Sequence, residues 1–346
     1  MPSRRSGRRR VDGGSAEARF PTARLMTTLL LVALFWPGFA AGQEDKEKPA
    51  VTSSRSFQLS GYAQFLYIYY EKGIDTFSIP RARLSLAGAL VKNLKFRLQV
   101  DAARSPALID AVLDYQFKPY LGVRIGQYYV PFSLESTTSD SELDLIYRSQ
   151  VVLALSPGRD IGYQGRDIGV MLTGGHSILE YYLGVFNGAG INRLDTNKNK
   201  DVGARVILRP VKGLAVGGSL YDGRYSANQG APPVTRDRAG LEGLLSLGRF
   251  TLKSEYIAAK DDQTSRSGWY VQGACDIVRG RFQGLARWDT FDPDRDLRED
   301  RNDSLTLGGT WFIWGKTKLM VNYSLVRREG EGTTNQLFAV QFQAGF

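Results

Sequence analysis

Apolar and polar positions alternate one for one along much of this chain, the period of a strand whose two faces meet different surroundings. Between 93 and 103, Leu94, Phe96, Leu98, Val100 and Ala102 share one parity, and Lys95, Arg97, Gln99 and Asp101 share the other. Between 317 and 328, Leu319, Val321, Tyr323 and Leu325 stand against Lys318, Met320, Asn322 and Ser324. Between 281 and 291, Phe282, Gly284, Ala286 and Trp288 oppose Arg281, Gln283, Arg287 and Asp289, with Leu285 as the one exception. No long helical period is found from Phe57 onward.

Marking every such run predicts sixteen strands. The first eight span 57–71, 75–90, 93–103, 106–118, 120–130, 165–174, 176–187 and 201–209. The others span 212–223, 235–247, 249–260, 266–279, 281–291, 303–314, 317–328 and 335–346. The gaps alternate in length. Tight turns are expected at Val91–Lys92, Pro119, Gly175, Pro210–Val211, Gly248, Gly280 and Gly315–Lys316, and the connections between them are mostly longer and polar. An even strand count with short turns at one end and long loops at the other describes an all-β, antiparallel, up-and-down transmembrane β-barrel of the outer-membrane kind.

A secreted soluble β-sandwich binding protein would alternate as well. Two features argue against it. The polar parity carries full charges in mid-strand (Arg83, Arg97, Asp114, Arg124, Lys253, Arg287), which a wet interior tolerates. The apolar parity carries aromatics near strand ends (Tyr67, Tyr69, Trp269, Trp288, Trp311, Phe338), as at a membrane interface. The final run, from Gln336 to Phe346, still alternates at its last residue. A closed barrel explains this, because its last strand must pair with its first to leave no edge bare in lipid.

Composition removes other classes. With one histidine (His176) and one cysteine (Cys275), the chain offers no multi-histidine catalytic centre, zinc site or disulfide framework. No catalytic residue, metal or cofactor is expected. An outer-membrane hydrolase using His176 and Ser177, placed in a turn, is the weaker alternative. The net charge of +10 invites a nucleic-acid reading, but seven arginines lie before residue 25. They precede the short apolar run Leu29–Ala41 and the small residues Ala40, Ala41 and Gly42, the order of a secretory signal peptide. Its removal leaves a chain of about +5, and no nucleic-acid partner is expected. The expected divisions are a signal peptide at 1–42, a flexible periplasmic tail at 43–56 and the barrel at 57–346.

The stretch 131–164 stands out as too long for an idle connection. It is also partly apolar, from Leu143 to Leu155, which suits a segment folded into the barrel with a helical turn and narrowing its bore; an external lid or a trimer latch is the alternative. "DTNKNKD" (Asp195 to Asp201) and "DPDRD" (Asp292 to Asp296) space oxygen ligands alternately, but lack a calcium loop's glycine and closing glutamate and read as solvated loop tips.

"RIGQYYVPFSLES" (Arg124 to Ser136), "YRSQVVLALSPGRDIG" (Tyr147 to Gly162) and "GYAQFLYIYYEKG…FSIPRARLSLAGAL" (Gly61 to Leu90) resemble the phosphate-selective porin O/P family. The resemblance implies a sixteen-stranded, homotrimeric barrel in the bacterial outer membrane, in contact with membrane lipid and lipopolysaccharide. It implies a water-filled channel for small hydrophilic solutes, constricted by the loop after strand five. It places Arg148 and Arg159 in or beside that loop, with Arg166 a rival to Arg159 because "GRDIG" occurs twice. Fixed positive charge in a narrow wet passage favours anions, phosphate among them. The inward parity supplies Arg81, Arg83, Lys95, Arg97, Arg124, Arg205, Arg209, Lys253, Arg287 and Lys318 as further candidates. Asp101, Asp110, Asp114, Glu180, Glu255 and Asp289 share the interior, so a mild anion preference is expected over strict phosphate specificity.

Overall fold

The computed structural model describes residues 57–330 and 334–346. The expected signal peptide and tail lie outside them. Strands β1 (Phe57–Tyr70), β2 (Thr76–Val91), β3 (Leu94–Asp101), β4 (Leu108–Lys118) and β5 (Leu121–Tyr129) lead into the long loop. After it come β6 (Arg166–His176), β7 (Leu179–Phe186), β8 (Asp201–Val211), β9 (Leu214–Asp222) and the two-residue β10 (Arg224–Tyr225). The meander ends with β11 (Val234–Leu247), β12 (Phe250–Asp261), β13 (Thr264–Val278), β14 (Phe282–Asp292), β15 (Asn302–Trp314), β16 (Thr317–Arg328) and β17 (Thr334–Gly345).

Apart from β10, each strand pairs antiparallel with the next, and β1 pairs with β17, so sixteen strands close a barrel. At the seam, Gly61 N donates to Phe346 O (3.2 Å) and Phe346 N donates back to Gly61 O (3.0 Å). The chain therefore runs to its last residue as part of the ladder, and the sixteen-stranded ring has no bare edge.

Four expectations need correction. The turn expected at Pro210–Val211 lies at Lys212–Gly213, because β8 continues to Val211, which pairs with Leu214. The turn expected at Gly175 lies at Ser177–Ile178: Gly175 stays in the ladder opposite Glu180, His176 ends β6, and Ser177 takes the positive φ of 54°. The connection after β9 is not wholly irregular, because β10 folds back on the extended start of β11. Asp201 is not a solvated loop tip. It is fully buried at the start of β8, accepting hydrogen bonds from Tyr221 Oη and from Arg236 Nη2 at 3.1 Å.

The alternation sorts as two environments require. Leu84, Leu98, Ile125, Leu252, Leu307 and Phe342 are among the many large apolar side chains exposed on the outer face. Aromatics gather toward the two ends of the strands. Tyr69, Phe338 and Tyr323 stand in register across β1, β17 and β16 at the long-loop end. Phe282 and Trp311 stack at 5.9 Å at the short-turn end. Gly213, Gly248, Gly280 and Gly315 occupy four of the tight turns at positive φ, a conformation that costs glycine little.

Candidate functional site

The loop after β5 enters the barrel and docks on its inner wall. Helix α1 (Leu134–Thr137) is capped by Ser133, whose Oγ accepts from Ser136 N at 3.0 Å. The Glu255 carboxylate on β12 accepts from Leu134 N (2.9 Å) and Glu135 N (2.8 Å), so a buried acid meets the free N–H groups of the first turn. Helix α2 (Gln150–Leu155) repeats the device: the Asp289 carboxylate on β14 accepts from Ser149 Oγ (3.0 Å) and Gln150 N (2.7 Å).

Apolar contacts explain the loop's composition. Phe132, Val151, Val152 and Leu155 pack with Ile257, Ala259 and Tyr270 of the wall. Ile146 sits among Leu66, Ile68, Met320 and Ala339, and Leu145 against Ala274 and Leu285. Leu285, the exception to the alternation, is thus a seat for the loop. Glycine makes the remaining room. A Cβ at Gly240 would lie 3.1 Å from the Phe132 ring, one at Gly268 2.9 Å from Val151, and one at Gly308 2.7 Å from Leu145.

Charge fixes the loop's other edge. Asp140 is ion-paired to Arg83 (2.7 Å), Arg148 (3.0 Å) and Arg81 (3.1 Å). Burial opposes its charge, but Arg81, Arg148, Arg83 and Arg159 together hold its carboxyl well below the usual carboxylate range. Arg159 donates to Ser136 Oγ (2.8 Å) and Ser136 O (2.6 Å). Burial, with Arg148 nearby, pulls its guanidinium down to about 9, so it stays charged at neutral pH. On the opposite wall Arg287 binds Glu135 (2.9 Å) and Tyr147 O (2.9 Å), Lys253 binds Asp144, and Arg238 binds Asp160 (2.9 Å).

Between the docked loop and the wall of β1 to β8 lies a cavity of about 460 Å³. Its charged lining is Arg97, Arg124, Arg205 and Lys316 against Glu142. Tyr62 and Tyr129 also line it. Behind them stand Arg83, 5.9 Å from the Tyr62 ring centroid, and Arg166, 3.7 Å from that of Tyr129.

The sequence model of the family described as phosphate-selective porin O and P matches residues 67–231 and 219–345. The chain belongs to that family. It is similar to the outer membrane protein SlpA of Thermus thermophilus, 32% identical over 117 residues, a match that covers 32% of this chain and 12% of that relative's length. Among solved structures, it superposes on the anion-selective porin from Comamonas acidovorans with a TM-score of 0.65 at 15% identity, covering 84% of this chain and 100% of that one. It also superposes on the outer membrane channel DcaP of Acinetobacter baumannii, with a TM-score of 0.63 at 11% identity over 89% of this chain and 100% of that one. At such low identity these structures testify to the shared barrel.

Not all the candidate residues of this porin reach the cavity. Arg97 and Arg124 line it, each paired across strands, with Asp110 (3.3 Å) and Asp114 (2.6 Å). Arg81, Arg83 and Arg148 are drawn to Asp140, and Arg159 is buried in the loop. Arg166 begins β6 and binds Asp110 (2.7 Å), so it is a wall residue whereas Arg159 belongs to the loop. Lys95 is exposed on β3 opposite Asp114. Arg287 lies beneath the loop on the far wall, away from the cavity. Sequence reasoning did not single out Asp140, Lys316, Arg236 or Arg238. The inward parity of β11 could have flagged the last two, whereas no periodicity marks Asp140.

Proposed function

We propose that this porin is a water-filled diffusion channel for small hydrophilic solutes, with a mild preference for anions and no chemical step. One observation carries the reading: the cavity left by the inward loop has four cationic side chains and one anionic on its lining. Five further guanidiniums (Arg81, Arg83, Arg148, Arg159, Arg166) stand in and behind its walls with five carboxylates (Asp101, Asp110, Asp114, Asp140, Glu242), the last pairing with Arg205 at 2.6 Å. Positive excess in a narrow, partly desolvated passage attracts anions. Because most of these cations are ion-paired, the preference is mild, and phosphate, which suits the guanidinium fork, is the anion expected to compete best. Lipid and lipopolysaccharide would surround the barrel. A homotrimer is part of the same reading, in line with the trimer form named for OmpT of Vibrio cholerae, a structure of similar fold. Export would remove residues 1–42, which N-terminal sequencing of the membrane-inserted protein tests.

The decisive measurement is reconstitution in a planar bilayer under a potassium chloride gradient. Stepwise currents with a reversal potential favouring chloride are expected, reduced by added phosphate. Combining Arg97→Gln, Arg205→Gln and Lys316→Gln should move that potential toward neutrality. Cation preference in the unmodified channel would refute the anion reading, and absence of step currents would refute the channel itself.

A further inference from the structure

On the outside of the barrel, near the short-turn end, the apolar belt is interrupted by a groove of about 430 Å³. Leu245, Leu247, Phe250 and Leu252 rise on one side, while Gly273 and Gly284 keep its floor low. Its size falls within the roughly 300–1,000 Å³ of pockets that hold small ligands. The stacked pair Phe282 and Trp311 stands beside it, the kind of side chain that marks the head-group level of a bilayer.

Two hairpin turns at that same end carry Arg249, between β11 and β12, and Arg279 with Arg281, between β13 and β14. All three are exposed, and among the described residues none has an ion pair or a side-chain hydrogen bond. This contrasts with the lumen, where most arginines are neutralised by a carboxylate. An apolar slot with unpaired guanidiniums at its polar end matches an amphipathic molecule with an anionic head. A phosphodiester answers the guanidinium fork, and a hydrocarbon chain answers leucine and phenylalanine.

We propose that Arg249, Arg279, Arg281 and the adjoining groove bind an anionic phospholipid, its phosphate on the arginines and one acyl chain along β12 to β14. In a porin the short turns face the periplasm. The lipid therefore belongs to the periplasmic leaflet, where phosphoglycerides supply both features.

Native mass spectrometry of the full-length, detergent-solubilised protein tests this, using phosphatidylglycerol and phosphatidylcholine of matched chains as probes. The unmodified protein is expected to retain phosphatidylglycerol preferentially. Each of Arg249→Gln, Arg279→Gln and Arg281→Gln should lower that retention roughly fivefold and lower phosphatidylcholine retention less, because the choline cation offsets the charge of its phosphate. Gly273→Leu, at a position with open space for a side chain, should fill the groove and reduce both lipids. Equal retention of the two head groups, or a triple variant with undiminished preference, would overturn the proposal. So would efficient oxidative cross-linking through Cys275, the chain's one cysteine, because a second copy would then cover this face. Conductance measured on the same preparations keeps the questions apart: conduction without head-group preference removes only the lipid site, and lipid preference without conduction removes only the channel.

Discussion

Three guanidiniums, those of Arg81, Arg83 and Arg148, converge on the carboxylate of Asp140, and those of Arg83 and Arg148 are almost wholly shut off from water. Removing one partner of such a buried pair typically costs about 3–5 kcal/mol, because the remaining charges lose their compensation. Asp140→Asn should therefore loosen the limb of the loop between α1 and α2, giving larger and noisier single-channel currents. Acid should not mimic the substitution readily. The folded carboxyl titrates below its unfolded value of about 3.9, so its stabilising contribution is complete above about pH 4 and is lost only as pH falls through the lower, folded value. The difference in open-channel noise between wild type and D140N should thus stay constant from neutral pH to about pH 4. Its disappearance by about pH 5 would contradict this account of the cluster.

At the level of elements, α2 and the wall beneath it behave as a small core inside a wet barrel. Gly268 admits Val151 only because it has no Cβ, so Gly268→Val overpacks the seat at a cost of about 1–3 kcal/mol. Leu155→Ala instead empties it, at about 2–5 kcal/mol. Both should raise mean conductance by letting the loop leave the wall, and unchanged conductance in both would mean that the loop does not limit flow. The strands themselves were legible because hydrocarbon and water impose a period of two on every one of them, and the observed limits fall within a few residues of those expected. The loop's docking was less legible, since it depends on side chains brought together from distant strands. Even so, its footprint was written in the exceptions: Leu285, Met320, Ile257 and Ala274 are apolar residues on the water-facing parity, and each touches the loop or its packing cluster. The arginine positions were legible as inward-facing, but their partners were not. Whether a guanidinium reaches a solute or a neighbouring carboxylate depends on register between strands, which one strand's pattern does not specify. Arg287 illustrates this, sharing the parity of Arg97 while the loop covers it.

For the molecule as a whole, closure depends on the β1–β17 seam, where Phe346 completes the ladder against Gly61. Its ring is exposed on the outer face and reaches back over Gly61. Phe346→Ser should keep the terminal backbone pair but weaken the membrane-side anchoring of the seam. The expected result is a smaller fraction of the compact, SDS-resistant form on unheated gels, with undiminished conductance per inserted channel. An unchanged compact fraction would show the ring to be dispensable. The seam and the loop also divide the work of setting size. Sixteen paired strands fix the circumference through hydrogen bonds, whereas on the proposed reading the aperture is set by residues 131–164, which contribute no strand to the ring. Substitutions in that one segment can therefore retune what fits through without disturbing how the cylinder is held shut.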